Sequence, residues 1–213
     1  MSFNHYISKV YSGFKGILYV FLLTLASPLS ANQQTIVILG DSISAGYGIA
    51  ADKGWVELLR QELNENMLII NASISGETSA GGLARTDAIL ERHNPDIFVL
   101  ELGGNDGLRG YPLDTLKDNL SLIIEKASSS GSQVILLGMR IPPNYGRRYS
   151  EGFYNIYQEL ADKYSIRLVP FFLEGIGGNN QLIQADGIHP NTNAQPILLN
   201  NAKPIIEEAL RRE

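Results

Sequence analysis

Short apolar segments alternate with amphipathic segments along most of the chain, and this alternation constrains the fold more than any other feature of the sequence. Five apolar segments predict β-strands, and they occupy residues 35–39, 67–70, 97–102, 133–137 and 167–169. Parallel strands need a crossover connection, so a helix between each pair of strands favours a parallel arrangement. The sequence therefore predicts an α/β protein, a three-layer α/β/α sandwich with a central, mostly parallel five-stranded sheet.

Helical periodicity marks the segments between and after these strands. The predicted helices occupy residues 55–63, 78–92, 113–127, 152–164 and 192–210. On the second helix the predicted buried face comprises Ala80, Leu83, Ala84 and Leu90. Asp87 falls within that face and interrupts it. Several glycines between residues 171 and 185 predict a long loop before the last helix.

The first 31 residues have the layout of a secretory signal peptide. Two lysines precede an apolar run at residues 16–26, and small residues follow it up to Ala31. The run is shorter than the roughly 20 residues that a membrane-spanning helix needs. We expect cleavage near Ala31, a single domain over residues 32–213, a periplasmic or secreted location and no stable membrane anchor.

Net charge and cysteine content exclude several kinds of function. Loss of the leader leaves 15 basic and 22 acidic residues, a net charge of −7, so we expect no nucleic-acid partner. The chain has no cysteine, which excludes disulfides, a thiolate nucleophile and metal sites with thiolate ligands. The domain is expected to be a monomer.

Polar clusters follow three of the predicted strands. Ser42 stands just after the first strand, Gly76 follows the second, and Asn105 follows the third. Because the carboxyl ends of parallel strands meet at one edge of the sheet, we expect these residues to converge on a single crevice. A fourth cluster, residues 186–190, lies in the late loop before the last helix.

A serine hydroxyl becomes a good nucleophile only when a base removes its proton. The chain has three histidines. His5 falls in the leader, and His93 ends a predicted helix, where a solvent-facing residue is expected. His189 follows Asp186 by three residues in a turn-forming Asp-Gly segment, so both side chains can reach the same face of the loop. Ser42, His189 and Asp186 are therefore the candidate catalytic residues.

Acyl transfer also needs hydrogen-bond donors directed at the developing oxyanion. The backbone amides of Ser42 and Gly76 and the side-chain amide of Asn105 are the candidates. Each residue has a simpler alternative role. Asp41 and Ser42 together could cap a helix, and Gly76 and Asn105 could serve only as turn residues.

Four sequence blocks resemble those of the SGNH (GDSL-type) hydrolase family, in the same order. They are GDSIS at residues 40–44, the Gly76 block NASISGETS, GGND at residues 103–106 and DGIHP at residues 186–190. Ile43 stands where the family name has leucine, a change that conserves volume.

The resemblance implies a flavodoxin-like SGNH hydrolase domain. It implies Ser42 as nucleophile, Asp186 and His189 as the rest of the triad, and an oxyanion hole of Ser42, Gly76 and Asn105. The implied activity is hydrolysis of acyl thioesters of the acyl-CoA type, lysophospholipids and simple carboxylic esters through an acyl-enzyme, in the periplasm. The implied partner is a small-molecule acyl ester or thioester, and neither a cofactor nor a metal is expected.

Loops after the second, third and fourth strands supply candidate contacts for the acyl group. These candidates are Leu108, Tyr111, Ile141, Pro142 and Tyr145. Simple loop packing is the alternative, because proline and aromatic residues often stiffen a loop. Arg147 and Arg148 are candidates for binding a phosphate-bearing group, with a solvated charge pair as the alternative.

Two other classes of enzyme are alternatives to this interpretation. Residues 46–51 fit the pattern G-x-G-x-x-A of dinucleotide-binding proteins, but the motif starts six residues beyond Gly40, and no acid ends the second strand. A metal-dependent phosphoesterase would need Asp41, Asp106, Asp186 and His189 as ligands. No closely spaced His/Asp set typical of a two-metal site is visible in the sequence.

Overall fold

The computed structural model describes residues 33–63 and 66–211, and all five predicted strands are present. The strands are β1 (Gln34–Gly40), β2 (Met67–Asn71), β3 (Ile97–Glu101), β4 (Gln133–Leu137) and β5 (Arg167–Val169). They form one sheet in the order β2-β1-β3-β4-β5, and every pairing is parallel. The predicted α/β fold with a five-stranded sheet is confirmed. The predicted leader and its cleavage position lie outside the described residues.

Seven α-helices are described alongside the sheet. They are α1 (Ser42–Ala45), α2 (Trp55–Glu62), α3 (Ser79–His93), α4 (Gly104–Leu108), α5 (Leu113–Ser129), α6 (Arg147–Tyr164) and α7 (Gln195–Leu210). Helix α2 packs against α7, and α5 packs against both α3 and α6. Right-handed crossovers place these two groups on opposite faces of the sheet.

The position of strand β1 in the sheet determines where the candidate site forms. The strand pairs with β2 on one side and β3 on the other, and residues 36–39 are fully buried. The chain leaves β1 in one direction to form β2 and then crosses to the other side to form β3. Such a switch point leaves a crevice at the carboxyl ends of the strands, which is where open α/β sheets bind ligands.

The structure differs from the prediction at several helix boundaries. Helix α6 begins at Arg147 rather than at Gly152. Gly152 lies inside the helix, where a Cβ atom would approach Leu113 Cδ1 within 2.7 Å, so this glycine serves close packing and does not break the helix. The last predicted helix is divided into a 3₁₀ turn, Thr192–Ala194, and α7. The short helices α1 and α4 were not predicted.

The predicted buried face of α3 is confirmed at Leu90 and was wrong elsewhere. Ala80, Ala84 and Asp87 are exposed, and Leu83 is only half-buried. The buried residues are Leu90 together with Ser79, Gly82, Thr86 and Ile89. A Cβ atom on Gly82 would clash with Leu102 Cδ1, so the helix can lie this close to the sheet only because small residues face it. A search for large apolar residues misses such a face.

Within residues 33–63 and 66–211, no helix combines the length and apolar character that crossing a membrane requires.

The buried core runs along both faces of the sheet. The largest fully buried side chains include Trp55, Phe98, Phe153, Tyr157 and Phe172.

Two leucines of helix α5 give a matched test of the packing between helices and sheet. Leu120 is fully buried, whereas Leu122 is 44% exposed. We expect Leu120→Ala to lower the free energy of unfolding by about 2–5 kcal/mol, because it removes buried methyl groups and leaves a cavity. Leu122→Ala should change it by no more than about 0.5 kcal/mol. Urea denaturation of both variants measures the difference, and equal effects would contradict the packing described here.

Candidate active site

Ser42 lies at the carboxyl end of β1, where the strand gives way to a single turn of helix. Asp41 caps α1 by accepting a hydrogen bond from the backbone amide of Ile43 at 3.0 Å. This confirms the helix-cap role for Asp41. Gly46 ends the helix in the left-handed conformation, with φ of 72°. Ser42 is therefore the first residue of a short, fixed turn, and its side chain is largely buried.

His189 lies next to Ser42 although the two residues are 147 positions apart in the sequence. Nε2 of His189 lies 2.8 Å from Oγ of Ser42. Nδ1 of His189 lies 2.6 Å from Oδ2 of Asp186. The three predicted catalytic side chains thus form one continuous hydrogen-bonded chain.

Asp186 is held in its ionised form. Its other oxygen, Oδ1, accepts hydrogen bonds from the backbone amides of Ile188 at 2.9 Å and His189 at 3.0 Å. The amide of Ile188, the ring of His189 and the amide of His189 lower the pKa of Asp186 to about 2. An ionised Asp186 can only accept, so Nδ1 of His189 carries the proton of this hydrogen bond. Nε2 is then the ring nitrogen that can accept the hydroxyl hydrogen of Ser42 when the ring is neutral.

Asn105 reaches the site from α4, after β3. Its side-chain Nδ2 donates to Oδ2 of Asp41 at 3.1 Å, which uses one of the two amide hydrogens and fixes the direction of the other. Burial raises the pKa of Asp41 to about 6, although the amide of Ile43, the nearby His189 and the amide of Asn105 oppose that rise. Asp41 therefore joins the turn that carries Ser42 to the candidate oxyanion donor Asn105.

Gly76 lies on the exposed loop after β2 and has a φ of 80°. The loop is attached to the end of β1 by a hydrogen bond of 3.1 Å from the amide of Ile74 to the carbonyl of Gly40. The carbonyl of Gly76 accepts from Arg109 Nη2 at 3.2 Å. Its loop is thus attached beside the nucleophile turn, but Gly76 itself does not line the cavity that opens beside Ser42.

A cavity of about 250 Å³ opens beside Ser42, Asn105 and His189. Its apolar wall comprises Leu108, Met139, Ile141, Pro142, Phe171, Leu173, Ile183 and Ile188. The wall includes three of the five candidate acyl contacts, and the other five wall residues were not predicted. Met139 lies after β4, and Phe171, Leu173 and Ile183 lie in the late segment that the sequence showed only as an irregular, glycine-containing loop. Ile188 lies in the fourth polar cluster, between Asp186 and His189.

Tyr111 and Tyr145, the other two candidate acyl contacts, do not line this cavity. The hydroxyl of Tyr145 donates to the carbonyl of Leu108 at 2.9 Å, and its ring lies in a separate shallow depression. The carbonyl of Tyr111 accepts from the hydroxyl of Tyr149 at 2.6 Å. The side chain of Tyr145 therefore connects the segment after β4 to α4, as the alternative of loop packing predicts, whereas the bond at Tyr111 is made by its backbone carbonyl and its ring is exposed.

Arg147 and Arg148 lie at the start of α6, on the rim of that same shallow depression. Nε of Arg147 is 2.7 Å from Oε1 of Glu151, one helical turn later. Both guanidinium groups are exposed to solvent.

A buried acid beneath the site was missed by the sequence analysis. Glu101 ends β3 and is fully buried. Its Oε2 accepts from the amide of Asp41 at 3.2 Å and from the hydroxyl of Ser44 at 2.8 Å, whereas Oε1 has no hydrogen-bond partner among the described residues. Burial, followed by the negative charge of Asp41, raises the pKa of Glu101 well above its ordinary value. In the sequence, the sign of this buried group was an acidic residue within an otherwise apolar predicted strand.

Gly40 is required by this arrangement. A Cβ atom at Gly40 would lie 2.6 Å from Oε2 of Glu101 and 2.8 Å from Cβ of Ser44. Only glycine allows the end of β1 to approach the buried acid this closely.

The candidate metal ligands have other partners. Asp106 accepts from both the amide of Ser79 at 2.9 Å and its hydroxyl at 2.6 Å, and so fixes the start of α3. In the part of the chain that the structure describes, no group of three or more acidic or histidine side chains is placed to hold a metal ion.

The dinucleotide-binding interpretation was wrong. Residues 46–51 form turns between α1 and α2, and Gly46 and Gly48 both have positive φ. The phosphate-binding motif of such proteins instead joins the first strand directly to its helix.

A serine that is hydrogen-bonded to a histidine, which is in turn hydrogen-bonded to an ionised aspartate, is typical of hydrolases with an activated serine. Its position at the carboxyl edge of a parallel sheet fits an enzyme of the α/β class.

The chain belongs to the GDSL-like Lipase/Acylhydrolase family, whose sequence model matches residues 38–195. It is 48% identical to esterase TesA of Pseudomonas aeruginosa over 198 residues, 92% of this chain and 96% of the relative. It is 41% identical to thioesterase 1/protease 1/lysophospholipase L1 of Escherichia coli over 198 residues, 93% of this chain and 92% of the relative.

A solved structure gives the same result. The crystal structure of psychrotrophic esterase EstA from Pseudoalteromonas, inhibited by monoethylphosphonate, superposes with a TM-score of 0.79. The two sequences are 40% identical, and the match covers 84% of this chain and 100% of that one. The family resemblance is confirmed, and the protein is an ester-cleaving hydrolase of this family.

The raised pKa of the buried acid Glu101 predicts how the free energy of unfolding changes with pH. Because folding raises its pKa above the ordinary value of 4.5, the folded protein holds this proton more tightly than the unfolded chain does. Its contribution to the free energy of unfolding is therefore greatest below that value and declines as the pH rises. Glu101→Gln removes the decline, so the stability of the variant relative to the unsubstituted protein should increase from about pH 5 to about pH 8.

Denaturant titrations across that pH range measure the difference. Glu91→Gln is the matched control, because Glu91 is exposed near the end of α3, and it should leave the pH dependence unchanged. Parallel pH profiles for Glu101→Gln and the unsubstituted protein would contradict a raised pKa at Glu101.

Proposed function

We propose that this protein is an exported serine esterase and thioesterase that acts through Ser42, His189 and Asp186. The observation that carries the proposal is the hydrogen-bonded chain from Ser42 Oγ through His189 to Asp186, with separations of 2.8 Å and 2.6 Å. Its substrates are acyl thioesters of the acyl-CoA type, lysophospholipids and simple carboxylic esters. The names of the relatives, which include esterase, thioesterase and lysophospholipase, support this range.

The first half of the reaction forms an acyl-enzyme. Nε2 of His189 takes the hydroxyl proton of Ser42 while Oγ attacks the carbonyl carbon of the substrate. Asp186, ionised because its pKa is about 2, stabilises the imidazolium that forms. The histidine then gives this proton to the departing thiolate or alkoxide, and the bond to the leaving group breaks.

The second half returns the enzyme to its starting state. His189 takes a proton from water, the resulting hydroxide attacks the acyl carbon, and the proton returns to Oγ of Ser42 as the fatty acid leaves. In both halves the negative oxygen of the tetrahedral intermediate is stabilised by the amides of Ser42 and Gly76 and by the side chain of Asn105. The apolar cavity beside Ser42 is suited to an acyl chain.

A phosphonate inhibitor of a relative adds chemical support. EstA was solved inhibited by monoethylphosphonate, and phosphorus esters of this kind react with an activated serine. Because residues 1–31 have the layout of a signal peptide, we propose that the enzyme works in the periplasm or outside the cell. We also propose that it acts as a monomer without a cofactor.

Ser42→Ala is the most direct test of the mechanism. We expect it to remove nearly all hydrolysis of acyl-CoA and lysophospholipid substrates of several chain lengths, because no other group supplies the nucleophile. Ser75→Ala is the matched control: Ser75 lies on the exposed loop after β2, and its removal should leave kcat unchanged. Substantial turnover by Ser42→Ala would disprove the assignment, and failure of the unsubstituted enzyme on either substrate class would narrow the proposed range.

The role of Asn105 is tested separately from that of the triad. Asn105→Ala should lower kcat by about 10² to 10³-fold, the usual loss for one oxyanion donor, with a much smaller change in KM. Asn144→Ala, an exposed asparagine on another loop at the same edge, should have no effect. Steady-state kinetics with a short-chain ester measures both variants, and an unchanged kcat for Asn105→Ala would remove this residue from the oxyanion hole.

A further inference from the structure

The base and the nucleophile belong to segments that are distant in sequence, so their alignment depends on contacts between two loops. Ser42 is fixed by β1 and α1, whereas His189 lies in a loop without helix or strand. The hydrogen bonds that hold Asp186 all come from its own loop, from Ile188 and His189. These bonds shape the loop, but they do not fix its distance from Ser42.

The side chain of Gln184 makes that connection. Its Nε2 donates to the carbonyl of Tyr47 at 2.8 Å and to the carbonyl of Pro190 at 3.0 Å. Tyr47 follows Ser42 by five residues, and Pro190 is the residue after His189. Both hydrogens of one amide group are therefore used to join the segment after the nucleophile to the segment after the base.

The main chain of Gln184 holds the histidine loop as well. Its amide donates to the carbonyl of His189 at 2.7 Å, and its carbonyl accepts from Gly187 at 3.0 Å. Ile183 and Pro190 form an antiparallel bridge beside these bonds. The side chain of Gln184 thus starts from a backbone that is already bonded to the loop it positions.

Where the side chain of Gln184 meets the turn after α1, it has no space to shift. Gly48 has a φ of 70°, and a Cβ atom there would clash with Oε1 of Gln184. The amide group is therefore packed directly on the backbone of the turn after α1. The ring of Tyr47 lies against the imidazole of His189, with ring centroids 4.6 Å apart.

We propose that Gln184 is a positioning residue for His189, which it holds at hydrogen-bonding distance from Ser42 by joining the carbonyls of Tyr47 and Pro190. The inference rests on the proposed function, in which His189 is the base. A displacement of about 1 Å from productive geometry can cost on the order of 10² in rate, so loss of this connection should slow the chemical step. Gln184 does not line the acyl cavity, so substrate binding should be preserved.

Gln184→Met tests the proposal without adding a charge. The side chain keeps a similar length but loses both donors, and we expect kcat to fall by about 10 to 100-fold with KM within about twofold. Gln184→Glu should lower kcat at least as much, because a carboxylate then faces two carbonyl oxygens. The control variants Gln181→Met and Gln181→Glu change an exposed side chain on the same segment and should keep kcat within about twofold.

A second connection keeps the histidine loop attached to the domain when Gln184 is replaced. Gln195 accepts from the amide of Trp55 at 3.0 Å and donates to the carbonyl of Asn191 at 3.2 Å, so it attaches the loop deeper in the protein. Circular dichroism and thermal unfolding of each variant check this directly. An NMR measurement of the Nδ1 proton of His189 adds a spectroscopic readout, because that proton should remain bonded to Asp186 in Gln184→Met.

The outcomes separate this proposal from the proposed function. A folded Gln184→Met variant with low kcat, preserved KM and an intact Nδ1 signal supports the positioning role. Unchanged kcat, or a loss that appears mainly in KM, overturns it even if Ser42→Ala is inactive. Activity retained by Ser42→Ala would overturn the proposed function itself, whatever the kinetics of Gln184→Met.

Discussion

The rest of the structure depends on the pairing of β1 with parallel strands on both sides. Because β2 and β3 flank it in register, the turns that follow these three strands meet at one edge. Ser42 and Asn105 line one cavity there, and the loop that contains Gly76 is attached to the end of β1. The end of β1 is also fixed from below, since Gly40 packs on Glu101 across the β1–β3 pair. A shift of one residue in this register would reverse the faces of the strand and move the site out of the crevice.

Acidic groups are concentrated under the site, and their burial is offset by hydrogen bonds. Asp41, Glu101 and Asp106 are all nearly inaccessible to solvent. Burial raises the pKa of Glu101 well above its ordinary value and that of Asp41 to about 6, whereas exposed Asp186 has a pKa lowered to about 2. Environment thus gives carboxyl groups of one site different pKa values. The acid with the lowered pKa is hydrogen-bonded to His189, and the buried acids fix the turn and Asn105.

The strands could be predicted because their aliphatic runs are short and are separated by helices. Parts of the site and several helix boundaries could not be predicted. The face of α3 was mispredicted because close packing selects Gly82 and other small residues, which apolar periodicity does not reveal. The wall residues Met139, Phe171 and Leu173 were missed because they lie in irregular segments without periodicity. Tyr111 and Tyr145 were placed on the correct edge of the sheet, but the sequence could not show which way their rings point.

The sequence by itself determined the parallel α/β fold, the strand ends that form the crevice and the candidate residues Ser42, His189 and Asp186. Local periodicity and general rules for parallel sheets are sufficient for the fold and the strand ends. The candidate residues came from polar residues at those strand ends, from the choice among three histidines and from the four family-like sequence blocks. Only the tertiary structure decided the distances between these side chains, the raised pKa of Glu101 and the connection made by Gln184. These features arise from contacts between residues as far apart as Tyr47 and Gln184, whose separation in space depends on packing of the whole domain.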